Sequence, residues 1–245
     1  MSVKGFKDFV NCYEFEAELP GSHEIVKFKP ITTGQLKKLL IYENVTDPSI
    51  IEDALDDLIS SSVVSEGFDI GKLELQDRFF LLIEIRKKTN GETYKFSHTC
   101  GVCKNQSLQN IHLDRLPFKP KNDDVERTIK LNDDISVTLD YINRGDQKLA
   151  YSHIKKDLNE PQFQAEMALV THACGVKEIT TPNGVENNLS IEDKLYILEN
   201  VSTDMYEKIR NWYDINNYGT TFKVDIICTC GHKAEINVPL DNFFF

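Results

Sequence analysis

Residues 95–103 read KFSHTCGVC and residues 223–232 read KVDIICTCGH. Both stretches run as a strand into a closely spaced cysteine pair, Cys100/Cys103 as C-x-x-C and Cys228/Cys230 as C-x-C. A short pair lets one tight turn present two sulfurs, and zinc takes soft thiolate donors in a tetrahedron without imposing a preference of its own. Gly101 and Gly231 are expected to let the backbone curl close around the sulfurs. A lone C-x-x-C is also a redox signature, but that chemistry wants the pair at the start of a helix. Here KNQSLQNIHL after Cys103 reads as a returning strand. Two such arms predict one structural zinc per chain on Cys100, Cys103, Cys228 and Cys230. The C-x-C spacing is tight for a zinc knuckle, so His98 and His232 are candidate substitute ligands. A closed four-ligand site has no position for water or substrate, so it points to stability rather than catalysis. Unligated buried thiols and dithiol chemistry are the competing readings.

The rest of the composition fits this reading. The 245 residues, 40% of them hydrophobic, suffice for one large domain or two smaller ones with proper cores. A formal charge of -11 would repel a phosphate backbone, so no direct nucleic-acid contact is expected. The opening residues have no apolar signal-like core and no stretch is long enough to span a bilayer, which predicts a soluble protein made in a cytoplasm with reduced thiols. Cys174 ends an apolar helical face and reads as a small buried hydrophobe. Cys12 carries no assignment.

Working outward from the cysteine arms, residues 13–29 predict two strands around Pro20-Gly21, and residues 34–44 a helix. Residues 49–63 predict a second helix, capped by Ser49 with Glu52 three positions on, with Asp53, Asp56 and Asp57 turned to solvent or to a basic partner. Residues 75–86, LQDRFFLLIEIR, are apolar enough for a core or subunit contact. Residues 126–142 read as a hairpin around 132–134. Helices are expected at 147–158, 162–172, 191–200 and 204–213, and residues 175–188 read as a polar excursion.

The halves echo each other in order. LELQDRFFLL from Leu73 aligns with LSIEDKLYIL from Leu189, KFSHTC with KVDIIC, NIHLDRL from Asn110 with NVPLDNF from Asn237, and more weakly KPITTG with DYINRG. The expected fold class is α+β, with two similar strand-plus-helix units joined by a shared four-cysteine ribbon-like site. Residues 1–113 would form the first unit, 114–124 a linker and 125–245 the second. The alternative is one α+β domain whose second ribbon arm follows a long insertion.

No phosphate-loop, dinucleotide-binding, nucleophile-elbow or H-E-x-x-H motif is present. His112, His153 and His172 are isolated in sequence and read as surface or hydrogen-bonded side chains. Glu52 and its neighbouring aspartates read as a solvated face. An enzyme would need an unseen convergence such as His172, Asp193 and Cys174. The terminal Phe243, Phe244 and Phe245 must dock somewhere, either on their own core or as a partner contact.

The ribbon cysteines, the helix LELQDRFFLLIEIR before the first pair and the closing CxCG...V-x-L-x-x-FF resemble the T4-like bacteriophage baseplate proteins, specifically the hub and hub-assembly group. The resemblance covers most of the chain and is one of layout. It implies a non-enzymatic component of a contractile tail baseplate or hub, or a transient assembly chaperone. Its contacts would be with other baseplate or hub proteins, with no small-molecule substrate, and it would reside in the virion after assembly in the host cytoplasm. The reading from another class is a zinc-ribbon adaptor in a nucleic-acid-associated complex, which the acidic balance and the lack of interleaved basic and aromatic residues beside the cysteines disfavour.

Overall fold

The computed structural model describes residues 13–42, 45, 47–154, 160–239 and 243–244. The fold is α+β and divides into two compact units. The first comprises 1–68, 76–120 and 219–245, and the second comprises 69–75 and 121–218. This corrects the expected boundaries. The second cysteine arm closes with the first unit, and the expected linker contains a 3-10 turn at Leu113–Arg115 and a short strand at Phe118–Lys119.

In the first unit, β1 (Phe15–Glu18) and β2 (Ile25–Phe28) form the expected hairpin, with Phe15 opposite Phe28. Alternation sends Val26 and Phe28 inward while Ile25 and Lys27 stay out. The turn is fixed from outside, because Gly21 N and Ser22 N donate to Asp77 Oδ1 and Oδ2 at 2.6 and 3.0 Å. Helix α1 (Thr33–Leu40) starts at Thr32, which exchanges capping bonds with Gln35. Helix α2 (Pro48–Ser62) starts earlier than expected. Pro48 occupies the first turn, where a missing N–H costs nothing, and Asp47 rather than Ser49 caps it by accepting from Ser49 N at 2.9 Å. Nor is its acidic face all solvated, since Asp56 is 3% exposed and holds Arg78 Nε at 2.7 Å. The chain returns beside β2 through Lys29 N to Ser62 O (2.8 Å) and Val64 N to Lys27 O (2.9 Å).

Helix α3 (Leu75–Asn90) buries Leu81, Leu82, Ile83 and Ile85. It leads into the hairpin of β3 (Thr93–Thr99) and β4 (Gln106–His112), whose inner face carries Tyr94 and Phe96. Strands β5 (Phe118–Lys119) and β10 (Gly219–Thr220) pair, and β11 (Lys223–Ile227) and β12 (Lys233–Asn237) make the second cysteine hairpin.

The second unit is a four-stranded antiparallel sheet of β6 (Thr128–Lys130), β7 (Ser136–Leu139), β8 (Val176–Thr181) and β9 (Gly184–Glu186) in that order. The expected polar excursion is therefore mostly strand: Val176 and Ile179 are buried against β7, and only residues 182–183 turn. Helix α4 (Arg144–His153) is capped by Asn143 and Asp146 reciprocally, so it begins before the expected 147. Helices α5 (Glu160–Gly175), α6 (Ile191–Asn200) and α7 (Thr203–Asn216) complete the unit. Val137, Leu139, Val176, Leu198, Ile209 and Trp212 lie in its core, and Trp212 Nε1 donates to Glu126 O at 2.8 Å. No helix among the described residues is long and apolar enough to cross a membrane.

Candidate metal centre

The two cysteine hairpins belong to the same unit, and their tips bring four sulfurs together. Each tip is closed by backbone. Cys100 N donates to Asn105 O at 2.9 Å and Lys104 N to Cys100 O at 3.1 Å. In the second arm, Cys228 N donates to His232 O and Gly231 N to Cys228 O, both at 2.8 Å. The residue directly after the second cysteine takes the left-handed conformation in both arms, Lys104 at φ 60° and Gly231 at φ 85°. Gly231 is thus needed for the turn as expected, while Gly101 is not among the positive-φ residues and Lys104 turns that arm instead. A lysine in this conformation has no sequence signal of its own; only its position relative to Gly231 marks it.

Cys100 Sγ lies 3.9 Å from Cys230 Sγ, and Cys103 Sγ lies 3.6 Å from Cys228 Sγ. Each short contact therefore crosses between hairpins. A disulfide would need about 2.05 Å. Four sulfurs around a tetrahedral ion with Zn–S near 2.3 Å stand about 3.8 Å apart. The cluster is thus geometrically compatible with metal coordination, with Cys100 and Cys228 buried and Cys103 and Cys230 exposed. His98 and His232 stand outside this group of four donors.

Backbone amides aim at the sulfurs. The N–H groups of Cys103 and Val102 lower the Cys100 thiol, and that of Cys230 brings Cys228 down to about 6. The Asn105 N–H favours the Cys103 thiolate too, but the neighbouring sulfurs of Cys228, Cys230 and Cys100, with some desolvation, outweigh it and push that thiol to about 11. Amides and crowding pull in opposite directions, and a bound dication is what would let all four groups ionise.

Behind the hairpins, the chain end is locked to α3. Arg86 Nε donates to Phe243 O at 3.0 Å, its Nη2 to Thr93 O at 3.2 Å and its Nη1 to Gly91 O. Asn90 Nδ2 donates to Phe244 O at 2.8 Å, and Tyr94 Oη to Pro239 O at 2.7 Å. Phe243 and Phe244 are each 4% exposed, and Phe243 packs edge-on against Tyr94 and Phe222. These two rings fill their own core, the first of the two dockings that the sequence allows. Phe245 and Cys12 lie outside the described residues. Sequence periodicity gave no hint of Arg86, which looks like an ordinary late-helix cation.

The remaining candidates have local roles. His172 stacks on Tyr213 and meets Tyr206 Oη at 3.0 Å, Asp193 belongs to the Ser190 cap, and Cys174 is buried with its thiol pushed up to about 11 by desolvation. His112 is less isolated than its sequence neighbours suggest. Glu92, His112 and Asp114 gather at the foot of the first cysteine hairpin, but Lys87 Nζ sits 2.5 Å from Asp114 and holds its carboxyl below the usual range. This group is an ion-pair cluster.

The model of the family described as T4 bacteriophage base plate protein matches residues 11–245. No curated protein and no solved structure matches the chain.

Proposed function

Because the chain belongs to the T4 bacteriophage base plate protein family, with a structural role exercised through protein contacts in phage baseplate and tail assembly, we propose that it is a baseplate or hub subunit whose first unit is clamped by one zinc on Cys100, Cys103, Cys228 and Cys230. The observation that carries the clamp is the pair of inter-hairpin sulfur contacts at 3.9 and 3.6 Å. Zinc would supply a structural crosslink and no chemistry on a substrate. Its neighbours in the virion are other baseplate or hub proteins, and neither nucleic acid nor a small molecule is part of this reading.

The two-unit architecture reads as an internal duplication that shares this site. In the first unit Lys29 N bonds Ser62 O, Phe28 bridges Val63 and Thr32 caps with Gln35; in the second Asp140 N bonds Gly175 O, Leu139 pairs with Val176 and Asn143 caps with Asp146. Each set is a hairpin, a capped helix, a second helix and a return beside the hairpin, and each occupies the same order along its half. In such a duplication the second copy's cysteine hairpin has crossed to complete the first unit.

The test is elemental mass spectrometry with a thiol count on chain purified without added metal. One zinc per chain with four thiols protected only in the native state is expected. Absence of metal with Cys103 and Cys230 readily modified would remove the clamp. Probing purified tails for the chain separates a resident subunit from an assembly factor that leaves.

A further inference from the structure

Helix α1 is amphipathic yet has no buried residue. Beside it Leu40, Ile41, Ile50 and Ile51 expose large apolar surfaces, Ile41 at 76%. Between α1 and α2 runs an open groove of about 600 Å³ floored by Leu39, Ala54 and Leu58. Two of its hydrogen-bonding side chains, Gln35 and Ser61, are already engaged. Gln35 Nε2 donates to Ser61 Oγ at 2.6 Å, Gln35 Oε1 serves the Thr32 cap, and Ser61 Oγ donates to Leu58 O. A small polar ligand would find few groups to bind. Besides the hydroxyls of Tyr42 and Ser60, the groove carries two charges with no ion-pair partner among the described residues, Lys38 on the α1 bank and Asp57 on the α2 bank.

We propose that this groove is the contact between two copies of the chain. Two-fold interfaces are self-complementary, so every contact occurs twice. Opposite charges on opposite banks of an apolar floor meet that requirement, because rotation about an axis along the groove sets Lys38 of each copy against Asp57 of the other and closes the apolar floors on one another. A partner with one sign of charge would satisfy only one bank and leave the other repelled or unpaired. The inference uses no part of the metal reading.

The test is sedimentation equilibrium of the full-length protein, with K38E, D57K and the K38E/D57K double substitution. Both positions are exposed, so thermal unfolding of each variant should match the parent. A dimer is expected whose dissociation constant rises at least ~10-fold for each single reversal, and returns toward the parent value in the double substitution, where the pair is restored with its signs exchanged. A parent chain that stays monomeric at every attainable concentration overturns the proposal. So does a dimer that ignores both reversals, or one that the double substitution fails to restore.

Discussion

Removing the proposed zinc should unfold the first unit and spare the second. The sulfurs that a shared ion would join are 130 and 125 residues apart in sequence, and releasing a closed loop of that size returns about 5 kcal/mol of chain entropy to the unfolded state by the usual loop-closure relation. A change of that size lowers Tm by roughly 10–20 °C at about 2–4 °C per kcal/mol. The crowding of sulfurs that pushes the Cys103 thiol up would add to the loss once the ion is gone. The assay is hydrogen exchange by mass spectrometry on the full chain, before and after treatment with a strong zinc chelator. Peptides covering 93–112 and 223–237 should lose protection, while those covering 128–139 and 176–186 keep it. An unchanged Tm, or equal loss of protection in both sets, would refute the clamp as the element that holds the first unit closed.

Three further outcomes follow from particular side chains. Arg86→Ala strips donors from the carbonyls of Phe243, Gly91 and Thr93 and should cost about 3–5 kcal/mol in urea unfolding, since an unpaired buried acceptor costs ~1–3 kcal/mol and part of the site can rehydrate; a loss under 1 kcal/mol would mean the chain end is not anchored there. His172 has its pKa lowered to about 4 by burial, from 6.5 when free. The unfolded chain therefore binds the extra proton first, so this contribution is intact above pH 6.5 and is lost as pH falls toward 4, up to about 3 kcal/mol at ~1.4 kcal/mol per unit; His172→Phe should flatten that slope in acid unfolding curves, and an identical slope would count against the assignment. At Gly175 an added Cβ would lie 1.8 Å from Tyr213 Oη and 2.7 Å from Ile142 Cδ1, so Gly175→Ala should destabilise by ~1–3 kcal/mol through overpacking, with partial recovery when Tyr213→Phe removes the colliding oxygen.

What could be read from sequence was what local chemistry determines. The cysteine hairpins, the 15–28 hairpin around Pro20-Gly21 and the helix following residue 74 announce themselves by spacing and period. Cap choice at α2 was misread because Ser49/Glu52 satisfies the capping-box pattern, while Pro48 and Asp47 satisfy the start of the helix one step earlier. Strand β8 looked like loop because Lys177, Glu178, Thr180 and Thr181 outnumber Val176 and Ile179, yet two inward residues suffice when a neighbour strand and helices cover them. Arg78 with Asp56, Asp77 with the turn at Gly21 and Arg86 with Phe243 were not legible at all. Each joins residues 22 to 157 positions apart, and a buried ion or carbonyl pair leaves no periodic trace.

The division of the chain gives the proposed metal clamp a structural reason. The first unit is assembled from three separate segments, 1–68, 76–120 and 219–245, and its last segment contributes little core of its own: β11 and β12 bury chiefly Ile226 and Cys228, and the residues beyond them add Val238, Phe243 and Phe244. Nearly a hundred residues of the second unit separate that segment from the rest, so its docking must overcome loop entropy that a few buried side chains offset only in part. Arg86, Asn90 and Tyr94 hold its backbone at Pro239, Phe243 and Phe244, and a metal on the four gathered sulfurs would hold its hairpin tip. Because Cys228 and Cys230 follow the whole of the second unit in sequence, the first unit can close only after that unit has been made, so a metal bound at the four cysteines would be captured late in folding.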